Sequence, residues 1–500
     1  MKTILFVDHT AKPGGGEIAL LNLVTALDET RYRPIVALAA DGPLVGRLRA
    51  AGVETHILPL DSALLDTRKD SLGVKSLLRL RQIGQVLAYT VQLARWARGQ
   101  RVDLIHTNSL KSDIYGGLAG RLAGIPVLWH VRDHINGKYL PPMVAAAFRI
   151  LAWRLPQMVV ANSESTLRQI WPNREAASAV VYSGVATQVV HDGYPEEHKG
   201  QDEQAGSKSA PDRDWPTVTL VGRIAEWKGQ HVFLRAAASV LGQYPQTRFW
   251  IVGAPLFGEH DYALSLHTLA EELGITKKVE FLGFRNDVAQ ILSRTDIVVH
   301  ASILGEPFGQ VVIEGMAAGK PLVATDGGAL PEIVVPGETG FLVPMGDHAA
   351  MADALRTLLA DPERAHEMGE EGRQRVERLF TIGHTARKLE AVYETLFAQG
   401  KPMRISSHLS GGKYTASHTT VIEAASAPAQ AAAGLACVSK VSLGLIKTLK
   451  NGPPAIKFLD ESAGCLLAKV RGTRSLQEIR VYTSDKVETQ AAMASAFIGR

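Results

Sequence analysis

Two carboxylates eight residues apart, Glu306 and Glu314, bracket the run Pro307-Phe308-Gly309-Gln310. The apolar run Ile297–Ala301 before it reads as a strand and the pattern from Val311 as a helix, so Pro307 suits a first-turn position, and Phe308, Gly309 and Gln310 offer backbone amides. Such amides favour negative charge. A carboxylate on each side can accept hydrogen bonds from hydroxyls flanking a bound phosphate, Glu306 facing a sugar ring and Glu314 a ribose. Upstream, Arg223 and Lys228 lie between Gly222 and Gly229 in the turn after another apolar run, Thr217–Val221. Arg can fork onto two phosphate oxygens and Lys acts as a point charge, so together they can neutralise a diphosphate and make it a better leaving group. An Arg and a Lys five apart also suit a solvated surface; position in the fold gives them meaning.

A third cluster, Gly14, Gly15 and Gly16, follows the strand-like Ile4–Asp8 and precedes Glu17 and a helical pattern. Without Cβ atoms this backbone can approach a ligand's phosphate or sugar; a loop needing positive φ is the structural alternative. It is neither a Walker A loop nor a dinucleotide fingerprint. Gly116, Gly120 and Gly124, spaced by four inside a helical pattern, suit close helix packing instead.

The elements that must position these residues alternate. Strands are expected at Ile4–Asp8, Pro34–Ala39, Glu54–Leu58, Leu104–His106, Pro126–His130 and Met158–Asn162, with helices between, including a long one over Ser71–Arg98. Residues 191–216 are charged, rich in Gly, Ser and Pro, and read as a linker or mobile loop. Alternation resumes from Thr217 to Ala324, and the acidic part closes with helices at Ala349–Leu359 and Thr381–Phe397. Such alternation predicts parallel sheets covered on both faces, here in two halves with a cleft between, and ligands at the carboxyl ends of the strands. Residues 400–500 fit no α/β repeat and receive no fold.

With 46% hydrophobic and 21% charged residues in a chain of 500, the composition is that of a soluble globular protein of two to four domains. Cys437 and Cys465 are the only cysteines, which excludes a disulfide framework or a thiolate metal site before them. Charge is uneven: residues 1–190 hold 22 Lys/Arg and 14 Asp/Glu, residues 191–399 hold 19 and 30, and residues 400–500 hold 13 and 6. The basic first part suits phosphate or an anionic membrane surface. No basic run interleaved with aromatics points to nucleic acid. The only Asp-x-Asp, Asp212-Arg213-Asp214, sits in the charged linker, so no metal site is expected. The opening residues lack an export signal and no span of apolar residues is long enough for a bilayer, so the expected location is cytoplasmic.

The segments EPFGQVVIEGMAAGKPLVATDGGALPEIV (306–334), GRIAEWKGQ (222–230), WIVG (250–253), VEFLGF (279–284) and GGGE (14–17) together resemble the retaining family 4 glycosyltransferases of GT-B fold. The resemblance covers residues 1 to about 399. It implies two Rossmann-like, doubly wound domains facing across a cleft: an acceptor-side domain over 1–190, a nucleotide-sugar-binding domain over 217–380, and a helix at 381–399 crossing back to the first domain. The extension over 400–500 stays unassigned. Carried over, the family pattern puts Glu306 at the donor sugar, Glu314 at the ribose, Arg223 and Lys228 on the diphosphate with the amides of Phe308, Gly309 and Gln310, and Phe284 and Arg285 at the nucleobase. Gly15 and Gly16 match the loop over the reaction centre. His130, which on its own reads as a buried histidine, resembles the family's histidine beside the donor sugar, with His106 a weaker candidate. The stretch VVYSGV (180–185) departs from the family's Asn-Gly turn.

The resemblance thus implies a metal-independent transfer of a hexose or related sugar from a nucleoside diphosphate sugar to an acceptor hydroxyl with retention of configuration, without a cofactor. The acceptor would be a saccharide or a lipid-linked one, in cell-envelope or extracellular polysaccharide or glycolipid synthesis. The basic, apolar-interleaved stretch 71–101 suggests contact with an anionic membrane, so a peripheral place on its inner face is expected. A non-catalytic sugar-nucleotide-binding scaffold subunit and a GT-B-fold epimerase are the alternatives.

Overall fold

The computed structural model describes residues 1–12, 14–60, 76–137, 139–171, 177–186, 215–256 and 258–398, with side chains of the helix at 76 given from residue 83, and the backbone of three strands further on. Most of the expected linker, the Asp212-Arg213-Asp214 triplet and nearly all of residues 400–500 therefore lie outside the described residues.

Two parallel sheets carry the fold. The first has seven strands in the order β3-β2-β1-β4-β5-β6-β7: β1 Lys2–Asp8, β2 Tyr32–Leu38, β3 Glu54–Ile57, β4 Leu104–Thr107, β5 Val127–Val131, β6 Met158–Ala161 and β7 Ser178–Val180. The second has six in the order β10-β9-β8-β11-β12-β13: β8 Thr217–Val221, β9 Arg248–Val252, β10 Val279–Gly283, β11 Ile297–His300, β12 Leu322–Thr325 and β13 Phe341–Val343. The central strands β1 and β4 to β6 are almost wholly buried, as strands covered on both faces must be, with polar residues such as Asp8, Thr107 and His130 at or near their carboxyl ends. In each sheet the strand order reverses once, between β1 and β4 and between β8 and β11, and the crevice at such a reversal is where ligands bind in open α/β sheets.

Helices α1 Gly15–Ala26 and α2 Pro43–Ala50 cover one face of the first sheet; α3 Ser76–Gly99, α4 Leu110–Ala123 and α5 Pro142–Arg154 cover the other. The α4 glycines pack as their spacing suggests: a Cβ on Gly116 would lie 2.6 Å from the Thr107 methyl, and one on Gly120 would collide with Val127, while Gly124 ends the helix at φ 68°. After α6 Glu164–Ile170 and β7 the chain passes to the second sheet, flanked by α7 Gln230–Leu241, α8 His260–Glu272, α9 Val288–Ser293, α10 Gln310–Ala317, α11 Leu330–Ile333, α12 His348–Ala360 and α13 Pro362–Leu379. The last described helix, α14 Ile382–Ala398, returns to the first sheet: Ile382, Ala386, Leu389, Tyr393 and Leu396 share a core with Ile4, Phe6 and Leu20. The return packs closely on the 180–185 stretch: a Cβ on Gly184 would fall on the Thr381–Ile382 backbone, and Val185 pairs with Thr381.

Residues 406–500 form a separate unit, in which β14 Ile456–Phe458, β15 Cys465–Val470 and β16 Glu478–Tyr482 make an antiparallel sheet.

Candidate active site

The second sheet brings Lys228 and Glu306 together, 78 residues apart in sequence. Lys228 follows β8 through a 3-10 turn, Glu226–Lys228, closed by Gly229 at φ 71°, where a Cβ would collide with the Ala301 carbonyl at the end of β11. Glu306 lies beyond β11, held by a bridge to Gly328 at φ 63°, another position with no room for a Cβ. Their side chains meet at 2.5 Å between Nζ and Oε1. The same oxygen accepts from Ser302 Oγ at 2.7 Å and faces His300 Nε2 at 3.2 Å. Burial alone would raise the Glu306 carboxyl, but the Lys228 charge and the His300 and Lys228 hydrogen bonds outweigh it and hold the group well below its usual value. Glu306 is thus a fixed anion beside a cation.

Arg223 lies on the same turn with Nη1 3.4 Å from Glu259. Both cations sit against one indole, Arg223 at 5.8 Å and Lys228 at 4.4 Å from the Trp227 ring centroid. The α10 N-terminus is nearby in sequence but starts later than expected: Gly309 is its N-cap at φ 109° and Gln310 its first residue, so Pro307 precedes the helix rather than opening it. The first intrahelical bond runs from Val312 N to Gly309 O, which leaves the Gln310 and Val311 amides ahead of the ladder. The Phe308 side chain is buried, stacked on Tyr182 at 6.0 Å and edge-on to Phe380. Glu314 is half-buried on α10, and burial pushes its carboxyl up to about 7 against a hydrogen bond from Gln310. Phe284 is 60% exposed after β10, whereas Arg285 is engaged bidentately by Asp287 at 2.6 and 2.7 Å.

Across the cleft, the carboxyl ends of β1, β4 and β5 supply a polar wall. Asp8 ends β1, fully buried, accepting from His9 N at 2.6 Å and Asn108 Nδ2 at 2.7 Å. Burial would raise Asp8, but His9, Asn108 and Ser109 lower it. Burial and the Asp8 charge push Glu17 up to about 8. The glycine loop has no positive φ at Gly14, Gly15 or Gly16; a Cβ at Gly14 would sit 2.6 Å from Glu17 Oε2, whereas beside Gly15 there is open space. Asp8, His9 and Glu17 place three potential ligand atoms within 4.8 Å, though both Asp8 oxygens are hydrogen-bonded and the Arg132 charge is coupled to Asp8 and Glu17.

His130 does not open onto this wall. It is fully buried, its Nδ1 3.1 Å from His106 Nε2 and 3.3 Å from Arg132 Nη2, and His106 in turn meets the Tyr393 hydroxyl of α14 at 2.6 Å. Burial and the Arg132 charge lower both histidines well below their usual value, so they are neutral. His130 Nε2 is buried without a hydrogen-bond partner among the described residues, and Arg132, beside its Nδ1, donates to Asn108 Oδ1 and Ser183 Oγ, each at 2.8 Å.

The residues that join the two walls carry no motif. Gln169 Nε2 donates to His134 Nδ1 at 2.6 Å, and His134 Nε2 donates to the Gly305 carbonyl at 2.5 Å, one residue before Glu306. Ser163 Oγ donates to Pro307 O at 2.6 Å, and Glu332 accepts from the Glu164 and Ser165 amides at the start of α6 at 2.9 and 2.7 Å. Tyr139 donates to Asp133 at 2.7 Å; burial first, and then the charges of Asp133 and Glu306, raise its phenol well above the usual value.

Residues 13–189 match the family described as Glycosyltransferase Family 4, and residues 201–375 match the one described as Glycosyl transferases group 1. The chain belongs to the family 4, group 1 glycosyltransferases. Its fold is that family's GT-B arrangement of two Rossmann-like domains. Among curated relatives, D-inositol 3-phosphate glycosyltransferase of Corynebacterium urealyticum is 38% identical over 183 residues, 36% of this chain and 43% of that protein. The match therefore spans less than half of that relative's length. The protein of the same name from Corynebacterium glutamicum is 29% identical over 335 residues, 63% of this chain and 78% of that protein. Among solved structures, Anabaena Alr3699/HepE in complex with UDP and glucose superposes with a TM-score of 0.65 at 26% identity, covering 79% of this chain and all of that one. A sucrose-phosphate synthase from Thermosynechococcus elongatus, at 22% identity and a TM-score of 0.63, shares the fold. Transfer of a glycosyl group is thus the activity of the family to which the two walls belong.

Proposed function

We propose that this glycosyltransferase moves a hexose or related sugar from a nucleoside diphosphate sugar to a hydroxyl of a saccharide or lipid-linked acceptor, with retention of configuration, without a metal, in envelope or extracellular glycan synthesis. The observation that carries the reading is the Lys228–Glu306 pair beside Arg223 and Trp227 at the strand-order reversal of the second sheet. Breaking the C1–O bond to the diphosphate develops negative charge on the leaving oxygens and positive charge on the ring. Lys228 and Arg223 meet the first; ionised Glu306 meets the second and accepts from sugar hydroxyls. The departing diphosphate oxygen takes the acceptor's proton on the same face, so the new C1–O bond forms where the old one broke. Exposed Phe284 offers a surface for the base, and the ionised form of Glu314 an acceptor for ribose hydroxyls.

The test is a donor panel, starting with the UDP-glucose that Anabaena Alr3699/HepE was solved with, read as nucleoside diphosphate release with and without EDTA. The anomeric proton coupling of the product reports configuration. Wild type should turn over in EDTA and give retained product, while Arg223→Ala and Glu306→Ala lose about a hundredfold or more. Equal release by all three, or an inverted product, would contradict the assignment.

A further inference from the structure

Helices α3, α4 and α5 form one layer: Tyr89 and Leu93, Tyr115 and Ala119, and Phe148 and Ala152 point into a shared core against the first sheet. Their C-termini are tied in a row, Arg98 Nε donating to Ala123 O at 3.0 Å and Arg121 Nε to Leu155 O at 3.2 Å. The outer side of a surface helix is normally polar. That of α5 is not: Met143, Ala146, Ala147, Ile150 and Trp153 follow each other at helical spacing and are exposed, Met143 at 86%, Ile150 at 62% and Trp153 at 60%. Ile83, Leu87 and Val91 extend the apolar surface on α3, and Leu122 on α4. The charges on these helices have one sign. Among their described residues the only carboxylate is Asp113, fully buried and bonded to Thr107, against Arg95, Arg98, Lys111, Arg121, Arg149 and Arg154.

We propose that this layer, with α5 at its centre, is the face that lies on an anionic lipid bilayer. Side chains such as Trp153 and Ile150 enter the headgroup boundary while guanidinium groups reach the phosphates, Arg154 stacking on Trp153 at 4.8 Å. A second copy of the chain fits worse, because two-fold pairing would set like-charged faces against each other. The loop that brings Arg132, Asp133, His134 and Tyr139 to the cleft runs directly into α5, a helix of 13 residues and so about 20 Å long. An acceptor carried on a lipid would therefore enter near the first-domain wall. This placement rests on the lipid-linked version of the proposed function, but vesicle binding is read without turnover, so the two can fail separately.

The experiment is co-sedimentation of the full-length chain with vesicles of phosphatidylcholine alone or with about a third phosphatidylglycerol. Wild type should bind the anionic vesicles about tenfold more tightly than the neutral ones and lose that margin in high salt. The triple variant Met143→Ser/Ile150→Ser/Trp153→Ser and the double variant Arg95→Glu/Arg154→Glu should each bind anionic vesicles about tenfold more weakly, with unchanged circular dichroism and unchanged diphosphate release from a soluble donor. Equal binding by wild type and variants, no preference for anionic lipid, or a dimer that the triple variant abolishes while vesicle binding persists would each overturn the proposal. Vesicle binding by a chain that releases no diphosphate would leave this surface standing and remove the transferase reading.

Discussion

His134 of the first domain donates to the carbonyl of Gly305 in the second, one residue before Glu306. The bond fixes the imidazole with its proton on Nε2, since Nδ1 accepts from Gln169. Burial keeps His134 below its usual pKa, so the bridge is a neutral one that neither attracts nor repels the donor's phosphates. It ties the position of the Glu306 loop to the closure of the two domains.

His134→Ala should lower kcat by about tenfold or more through misplacement of Glu306, with the thermal midpoint little changed. His134→Gln, which keeps a donor, should recover part of the loss. Steady-state kinetics of both variants, with small-angle scattering for domain opening, checks this; a pure rise in KM would show that the bridge does not position the reacting groups.

Lys228→Ala leaves Glu306 buried with only His300 and Ser302, so its carboxyl should rise and its ionised form become scarcer. The expected loss in kcat is about a hundredfold to a thousandfold. Lys228→Arg should restore charge but not geometry. If the alanine variant releases diphosphate at about a third of the wild-type rate or better, the cation is not meeting the leaving group.

Glu17 and Glu314 are pushed up to about 8 and about 7 from an ordinary 4.5. The folded protein therefore binds protons that the unfolded chain releases above about pH 4.5. The stability they contribute is complete below that pH and declines as pH rises towards 7 for Glu314 and 8 for Glu17, by up to about 1.4 kcal/mol per pH unit for each group. Denaturation midpoints from pH 5 to 8 should fall for wild type and fall less steeply for Glu17→Gln and Glu314→Gln. Identical slopes in all three would exclude both groups.

Gly120→Ala should destabilise the first domain by about 1–3 kcal/mol, because the new methyl must displace Val127 in the central strand β5. Gly15→Ala, with open space at the Cβ position, should leave the midpoint nearly unchanged in urea. The contrast separates packing glycines from cleft glycines.

Alternating apolar runs and helical patterns were enough to read the two halves, because strands covered on both faces leave continuous apolar stretches such as Ile4–Val7 and Ile297–Val299. The residues on the second sheet's turns were legible too, since glycine, cation and carboxylate follow strand ends at short range. Helix α5 was not, because apart from Arg149 and Arg154 its sequence is apolar and periodicity cannot tell a buried helix from one with an apolar outer face. The start of α10 shifted because Gly309 at positive φ, rather than Pro307, turns the chain into the helix.

What sequence alone determined is which local units form and which chemical groups each carries, since propensity, capping and short loops act within a few residues. Pairing across the cleft belongs to the tertiary structure. Lys228 and Glu306 meet through the neighbouring strands β8 and β11, His134 meets Gly305 across 171 residues, and His130 is enclosed because Tyr393 of the returning helix covers His106. Burial and mutual charge, which set what Glu17, Glu306 and Glu314 can do, exist only once those distant segments exclude water together.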